Sequence, residues 1–331
     1  MKKIVVLLIF IIGLSICTTE KAEAKKAYQK EDVERYALYH KMEALTSIPW
    51  YYLAAVDQYE RSIRRAQKDL PEEEGLIGIY YSPIQWVGPL NPNLDDSDAS
   101  TISLFGGNGL DGNNDGKADR NNDEDLLYTF ANYLQAYGFD EENIKIGLWD
   151  YYHRDKTVDI ILGIAKVFRE YQTLSLHDRA FPVPIRSNYS FKNTWGDRRG
   201  FGGLRIHEGT DIFADYGVPV RATTYGIVEI AGWNRFGGWR VGIRDLNNVY
   251  HYYAHLNGFE KGIGKGSVVK PGQTIGFVGS SGYGPPGTAG KFPPHLHYGM
   301  YRDNGYNEWS FDPYPYLKAW ERQDRIKNRK R

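Results

Sequence analysis

The chain is 331 residues long, and its 41 Lys and Arg balance its 41 Asp and Glu, so the formal net charge is zero. That length exceeds what one hydrophobic core usually serves, and two domains are expected. Without a net basic field to draw a polyanion, a general nucleic-acid binder is excluded. Tyrosine is abundant at 26, beside 8 Trp and 36 Gly, a composition that suits either sugar and peptide contact surfaces or ordinary strand packing.

In chain order, the first element is Met1-Lys2-Lys3, an apolar run from Ile4 to Cys17, then Ala22-Glu23-Ala24. These are the charged, apolar and small-residue regions of a secretory signal peptide, so residues 1–24 read as a leader and the protein as exported. The run falls short of the roughly 18 residues of a membrane span, and membrane contact is expected only through the leader if it stays uncleaved. Cys17 is the only cysteine, and Ile16 before it is too large for a lipobox. Cleavage after Ala24 leaves a mature chain without thiols, held by its core and any metal alone.

Residues 28–174 read as a helical domain. Apolar positions recur three and four apart over Glu31 to Met42, Pro49 to Gln67, Glu124 to Tyr137 and Lys156 to Tyr171, with Ser47 and Pro49 as a helix start. Between these helices, Asp111, Asn113, Asp115 and Asp119 occupy positions 1, 3, 5 and 9 of a calcium loop, with Gly116 at the turn. Asn122 stands where the bidentate glutamate belongs, so the loop is either a weak Ca2+ site or a ligand-free Asx-rich turn.

Residues 175–190, with Pro182 and Pro184, read as a linker, and from about residue 201 short alternating strands separated by glycine turns take over. Within them His207-Glu208-Gly209-Thr210-Asp211 is followed by His295-Leu296-His297. Alternate residues of a strand share a face, so His295 and His297 can project into one cavity while Leu296 packs behind them. Two imidazoles and a carboxylate suit a zinc ion that keeps an open position, and His207, Asp211 and one of the later pair can supply them. His255 lies on an aromatic strand pattern; His251 shares its parity and reads as an exposed or supporting residue. Residues 318–331 read as a basic tail, either a solvated helical end or a frayed segment, with contact to an anionic polymer as a further reading.

These residues resemble the lysostaphin-type, or LytM-like, zinc metallopeptidases over about residues 181–317. The resemblance implies His207, Asp211 and His297 as ligands of Zn2+, with His295 and His255 catalytic. One of the two would act as general base toward water and the other as donor to the oxyanion or leaving amine. The loops Trp233 to Trp239 and Ser280 to Pro286 are expected to border the groove, with Arg235 able to pair with an acidic residue of the substrate.

The helical region resembles lysozyme-like lytic transglycosylases in Ile48 to Glu60, in the Asp111 to Asp119 loop and in Trp149 to His153. That resemblance puts Glu60 in the place of a general acid and base on glycan. Arg61 and Tyr80-Tyr81 depart from the family pattern, and an arginine beside the carboxylate is expected to favour its ionised form.

The fold expected is α+β in two domains, an N-terminal helical lysozyme-like domain and a C-terminal antiparallel β LytM-like peptidase domain at residues 191–317. The function implied is zinc-dependent hydrolysis of peptidoglycan peptides outside the membrane, in cell wall or spore envelope. The L-alanyl–D-glutamyl bond of spore-cortex stem peptides is the first expectation; cross-bridge or D-alanyl bonds are rivals. A non-catalytic wall-binding activator and a glycan-cleaving enzyme using Glu60 are the alternatives of other classes.

Overall fold

The structure is a computed structural model that describes residues 30–67, 69–71, 75–200 and 204–329. The expected leader lies outside them. Among the described residues no helix is long and apolar enough to cross a membrane.

The first half is helical: α1 (30–46), α2 (Trp50–Ala66), α3 (Pro83–Val87), α4 (Ala99–Leu104), α5 (Asp123–Gln135), α6 (Glu141–Tyr152) and α7 (Asp155–Tyr171). The expected cap of α2 by Ser47 is not made. Ser47 adopts a left-handed φ of 61°, and the first amide of α2, Trp50 N, is taken by the Glu43 carboxylate of α1 at 3.2 Å. Asn122 caps α5 by accepting from the amides of Glu124 and Asp125, and three acids in that first turn favour the positive end of the helix dipole. Helix α6, capped by Asp140, was not anticipated, because its apolar residues do not keep one continuous face. Leu53, Val56, Phe130, Leu134, Ile161, Ile164 and Phe168 meet in the first core.

The segment expected as a linker contains no regular element before its last two residues, but it is packed. Leu174 and Leu176 belong to the first core and Phe181 and Val183 to the second. The amide of Ala180 donates to Thr223 O at 3.0 Å.

The second half carries β1 (Tyr189–Phe191), β2 (Arg198–Arg199), β3 (Arg205–Ile206), β4 (Thr210–Ala214), β5 (Pro219–Arg221), β6 (Gly226–Asn234), β7 (Gly238–Asp245), β8 (Val249–Phe259), β9 (Val268–Val269), β10 (Thr274–Val278), β11 (His295–Asp303) and β12 (Glu308–Phe311). Ten of these form one sheet ordered β1-β4-β11-β8-β7-β6-β9, with β10 beside β5 and β8 and β12 beside β11. β2 and β3 pair separately, and every pairing is antiparallel. Alternation puts Leu296, Tyr298 and Met300 of β11 into the second core, and so turns His295 and His297 to the opposite face.

Of the two readings of the basic end from residue 318, the helical one agrees with α8 (Tyr314–Arg329). Its Leu317 and Trp320 enter the second core, and Asp324 accepts from Arg221 at 2.9 Å. Arg322, Arg325, Lys327 and Arg329 occupy the solvent side of this amphipathic helix.

The two halves are joined across a polar seam. Asp303, at the far end of β11, has a fully buried side chain that pairs with Arg154 at 2.7 Å and Lys156 at 3.2 Å, residues at the start of α7. Lys166 donates to Gly266 O at 2.7 Å, and Gly163 leaves room for Ile227, which a Cβ there would approach to 2.9 Å.

Candidate metal centre

Strand register assembles the site. His297 of β11 stands opposite Asp211 of β4 on one side and Ala254 of β8 on the other. His207 lies just before β4 and is held there by backbone bonds, His207 N to Asp197 O at 2.9 Å and Gly196 N to His207 O at 2.8 Å. His207 Nε2 lies 2.8 Å from His297 Nδ1. Asp211 Oδ1 is 3.1 Å from each of those nitrogens. Ligand atoms about 2.0–2.1 Å from a tetrahedral zinc stand roughly 3.3 Å apart, so each edge of the triangle is within about half an ångström of what the ion needs. Among the described residues this is the one group of three or more His, Cys, Asp or Glu donors that converges in this way.

The surroundings fix the donors. Thr194 O accepts from His207 Nδ1 at 2.7 Å; a carbonyl can only accept, so the proton sits on Nδ1 and Nε2 offers its lone pair. Arg199 donates to Asp211 Oδ2, which leaves Oδ1 to face the imidazoles. Burial alone would raise the Asp211 carboxyl, but the His207 and His297 imidazoles beside it outweigh that and hold the group well below the usual carboxylate range. Gly209 is required by packing: a Cβ there would sit 2.6 Å from His297 Cε1 and 2.7 Å from Tyr298 O.

His255 lines the cavity with His207 and His297, and His295 lies behind them against His255 and Asp211. His295 Nδ1 donates to Pro293 O at 2.8 Å, and its Nε2 is buried without a hydrogen-bond partner, 3.8 Å from Asp211 Oδ1. A buried, unpaired acceptor is costly in a finished core and useful beside a reacting water. His255 Nδ1 donates to Ser281 O at 2.8 Å, and its ring centre is 4.9 Å from that of His295 and 6.0 Å from that of His297. Burial, followed by the charges of His295 and His297, pushes His255 down to about 3; burial likewise lowers His295.

How His255 reaches this face is a matter of backbone. Trp239 pairs with Leu256 and Val241 with Tyr253, so Ala254 and His255 together oppose the single residue Arg240. This is a β-bulge, and at it His255 takes a left-handed φ of 65°, which turns its side chain out of the core parity it shares with His251. His251 stays behind, buried against Tyr298 OH at 2.6 Å and Asp245 Oδ2 at 3.2 Å. The expectation that it is exposed or supporting resolves to the second.

Both expected loops border the cavity. Asn234, Phe236 and Gly237 from one and Tyr283 from the other line it with His207, His255 and His297. Arg235 does not line it; its guanidinium lies over the outer ring of Phe236 at 5.9 Å. Sequence reasoning missed Arg199 and Thr194. The first sits on a two-residue strand with no periodic signal, and the second acts through a carbonyl that every residue possesses.

Other anticipated sites fare differently. Glu60 lies far along the sequence from the metal ligands, in α2, and accepts from Tyr152 OH at 2.6 Å. Arg61 does not keep it ionised, because that guanidinium turns to Asp57 at 3.1 Å. Burial pushes the Glu60 carboxyl up to about 7, the reverse of the expected direction. In the calcium-like loop the acids serve its own backbone. Asp111 accepts from the amides of Asp115 and Gly116, Asp115 from Lys117, and Asp119 from Asn121. Asn122, at the place of the bidentate glutamate, caps α5, and the loop's own bonds are those of Asx turns.

Comparison with known proteins agrees with this geometry. The chain is 61% identical over 319 residues to the L-Ala--D-Glu endopeptidase of Bacillus subtilis (strain 168), covering 96% of this chain and 98% of that one. Lysostaphin of Staphylococcus staphylolyticus is 37% identical over 116 residues, 34% of this chain and 22% of that one. The solved catalytic domain of lysostaphin from Staphylococcus simulans is 33% identical and aligns to 40% of this chain and 93% of its own with a TM-score of 0.32. The profile of peptidase family M23 matches residues 205–313, which span both histidine motifs, and with a relative so similar over nearly its whole length the chain belongs to peptidase family M23.

Proposed function

We propose that this protein is a zinc endopeptidase that hydrolyses the L-alanyl–D-glutamyl bond of peptidoglycan stem peptides, outside the membrane and in the spore cortex. The observation that carries the chemistry is the convergence of His207, Asp211 and His297 beside the unpaired Nε2 of His295. The choice of bond rests on the near-complete match to the endopeptidase of that name. Zinc held by the three ligands supplies polarisation of the scissile carbonyl and acidification of water. His295 Nε2, an acceptor because its Nδ1 proton is held by Pro293 O, takes the proton of the attacking water and returns it to the leaving amine. His255 also keeps its proton on Nδ1 and burial disfavours a second one, so the atom it offers beside the reacting bond is Nε2 as an acceptor.

Digestion of purified peptidoglycan tests the reading. Peptides beginning with D-glutamate, and single L-alanine residues left on the glycan, are the expected products, and both should vanish on chelation. New glycine or diaminopimelate termini without D-glutamate termini would reject the bond. Absence of any new termini from metal-loaded protein would favour the wall-binding alternative.

A second reading concerns the helical half as a lysozyme-like module. The observation favouring it is the raised Glu60 carboxyl, next to a cavity of about 660 Å3 lined by Tyr81, Gln85, Asn108, Asn132 and Tyr151. Aromatic rings and amides of this kind suit sugars. Glu60 itself does not line the cavity, which supports holding glycan over cutting it. Anhydro-sugars that disappear in Glu60→Gln would establish cutting.

A further inference from the structure

The metal cavity is electrically lopsided. On one wall Arg205, two residues before the ligand His207 in an extended segment, lines the cavity with its guanidinium between two rings, 5.4 Å from the centre of Tyr283 and 5.8 Å from that of Phe236. It also donates to the Tyr283 hydroxyl. On the other wall Glu208, next in line after His207, faces the Tyr301 hydroxyl at 3.5 Å. Arg199, the other arginine of the cavity, is bound to the ligand Asp211, while Arg205 keeps its charge at the cavity lining among its aromatic partners. A substrate carboxylate is therefore drawn toward Arg205 and repelled by Glu208. The aromatic slot strips water from the guanidinium and fixes its plane, which strengthens and orients its bond to a carboxylate.

Position selects which carboxylate. Arg205 and the ligand His207 stand two residues apart and line the same cavity, so Arg205 is placed to meet a substrate group close to the scissile bond. In an L-alanyl–D-glutamyl bond the residue after the scissile carbonyl is glutamyl. It has two carboxyl groups, the chain continues through one, and the other is a free anion unless it is capped as an amide.

We propose that Arg205, held by Tyr283 and Phe236, is the specificity residue that binds this free carboxylate, and that the enzyme thereby distinguishes the acid from its amide. The inference rests on the L-alanyl–D-glutamyl reading above. Arg205 binds the substrate beside the reacting bond and takes no part in proton transfer.

The test compares two soluble peptides that differ only in whether that carboxyl is free or amidated, cut by the full-length zinc-loaded protein and followed through new amino termini. Wild type should cut the acid at least about ten-fold better in kcat/KM, the order expected for one charged contact. Arg205→Gln should bring the two peptides to within about two-fold of each other, chiefly by raising KM for the acid. Arg205→Lys, which keeps the charge and the fold but not the planar fork, should fall between them. Bound zinc is measured in each variant, so that a damaged metal centre is not read as lost selectivity. Equal cleavage of acid and amide by wild type would overturn the inference, and so would an acid preference that survives in Arg205→Gln. If wild type releases no D-glutamyl or D-glutaminyl termini from either peptide, the bond reading itself fails, and the inference with it.

Discussion

His207, Asp211 and His297 differ from His295 in where their free atoms point, and that difference is measurable. His207→Ala or Asp211→Ala removes one corner of the ligand triangle, so bound zinc measured by elemental analysis should fall to near zero. The stabilisation that metal confers on the folded state goes with it. His295→Ala should retain zinc and lose turnover by about 10²- to 10⁴-fold, the usual cost of a missing general base. Zinc loss in His295→Ala together with retention in His297→Ala would exchange their assignments. Arg199→Ala should keep all three ligands but free the second Asp211 oxygen, weakening zinc by roughly 10- to 100-fold in competition with a chelator. Unchanged affinity would assign Arg199 to packing alone. The ligands were legible from chemistry and spacing because metal ligation admits few residue types. The Arg199 contact was not, since its partner is set by how a short strand folds over the site.

At the scale of elements, the antiparallel pairing of β4 with β11 and the bulge in β8 convert three separate sequence motifs into one cavity. The strand alternation of His295 and His297 was readable beforehand, because Leu296 between them had to be buried. The reorientation of His255 was not: strict period two assigns it the same face as His251, and only the left-handed backbone at the bulge reverses it. The tightest of these constraints is Gly209, packed against the His297 ring. Gly209→Ala should push that ring off the metal position. We expect loss of zinc and activity with secondary structure by circular dichroism unchanged; a zinc-loaded, active Gly209→Ala would show that the ring has room to move. The solvated face of α8 was legible from its basic residues, but not the Leu317 and Trp320 stripe that docks it on the core.

For the whole molecule, Glu60 links proton uptake to stability. Its carboxyl titrates at about 7 in the folded chain against 4.5 ordinarily. Below 4.5 folded and unfolded chains both hold the proton. Between 4.5 and about 7 only the folded chain does, so stability falls as pH rises through this window and then levels. Glu60→Gln removes that slope and should be more stable than wild type at pH 8, by on the order of 2 kcal/mol. Equal pH profiles in chemical denaturation would show that Glu60 is not held as described. Two domains were readable from length and the change of pattern, but not the seam between them, because pairing across it depends on the docking of finished units. Asp303→Ala leaves Arg154 and Lys156 without their buried partner, at a cost of about 2–4 kcal/mol given their partial exposure. Calorimetry should show one transition in wild type and a lower or divided one in the variant.

The strand that holds His295 and His297 at one end is thus anchored to the other half of the protein at its opposite end. Cutting the chain at residue 190 to isolate the peptidase half would leave the Asp303 carboxylate facing solvent or apolar neighbours without either cation. The end of β11 would then be free to fray toward the metal. In this protein the catalytic unit is not a cassette that can be lifted out intact, and any exchange of modules has to carry residues 154 and 156 with it.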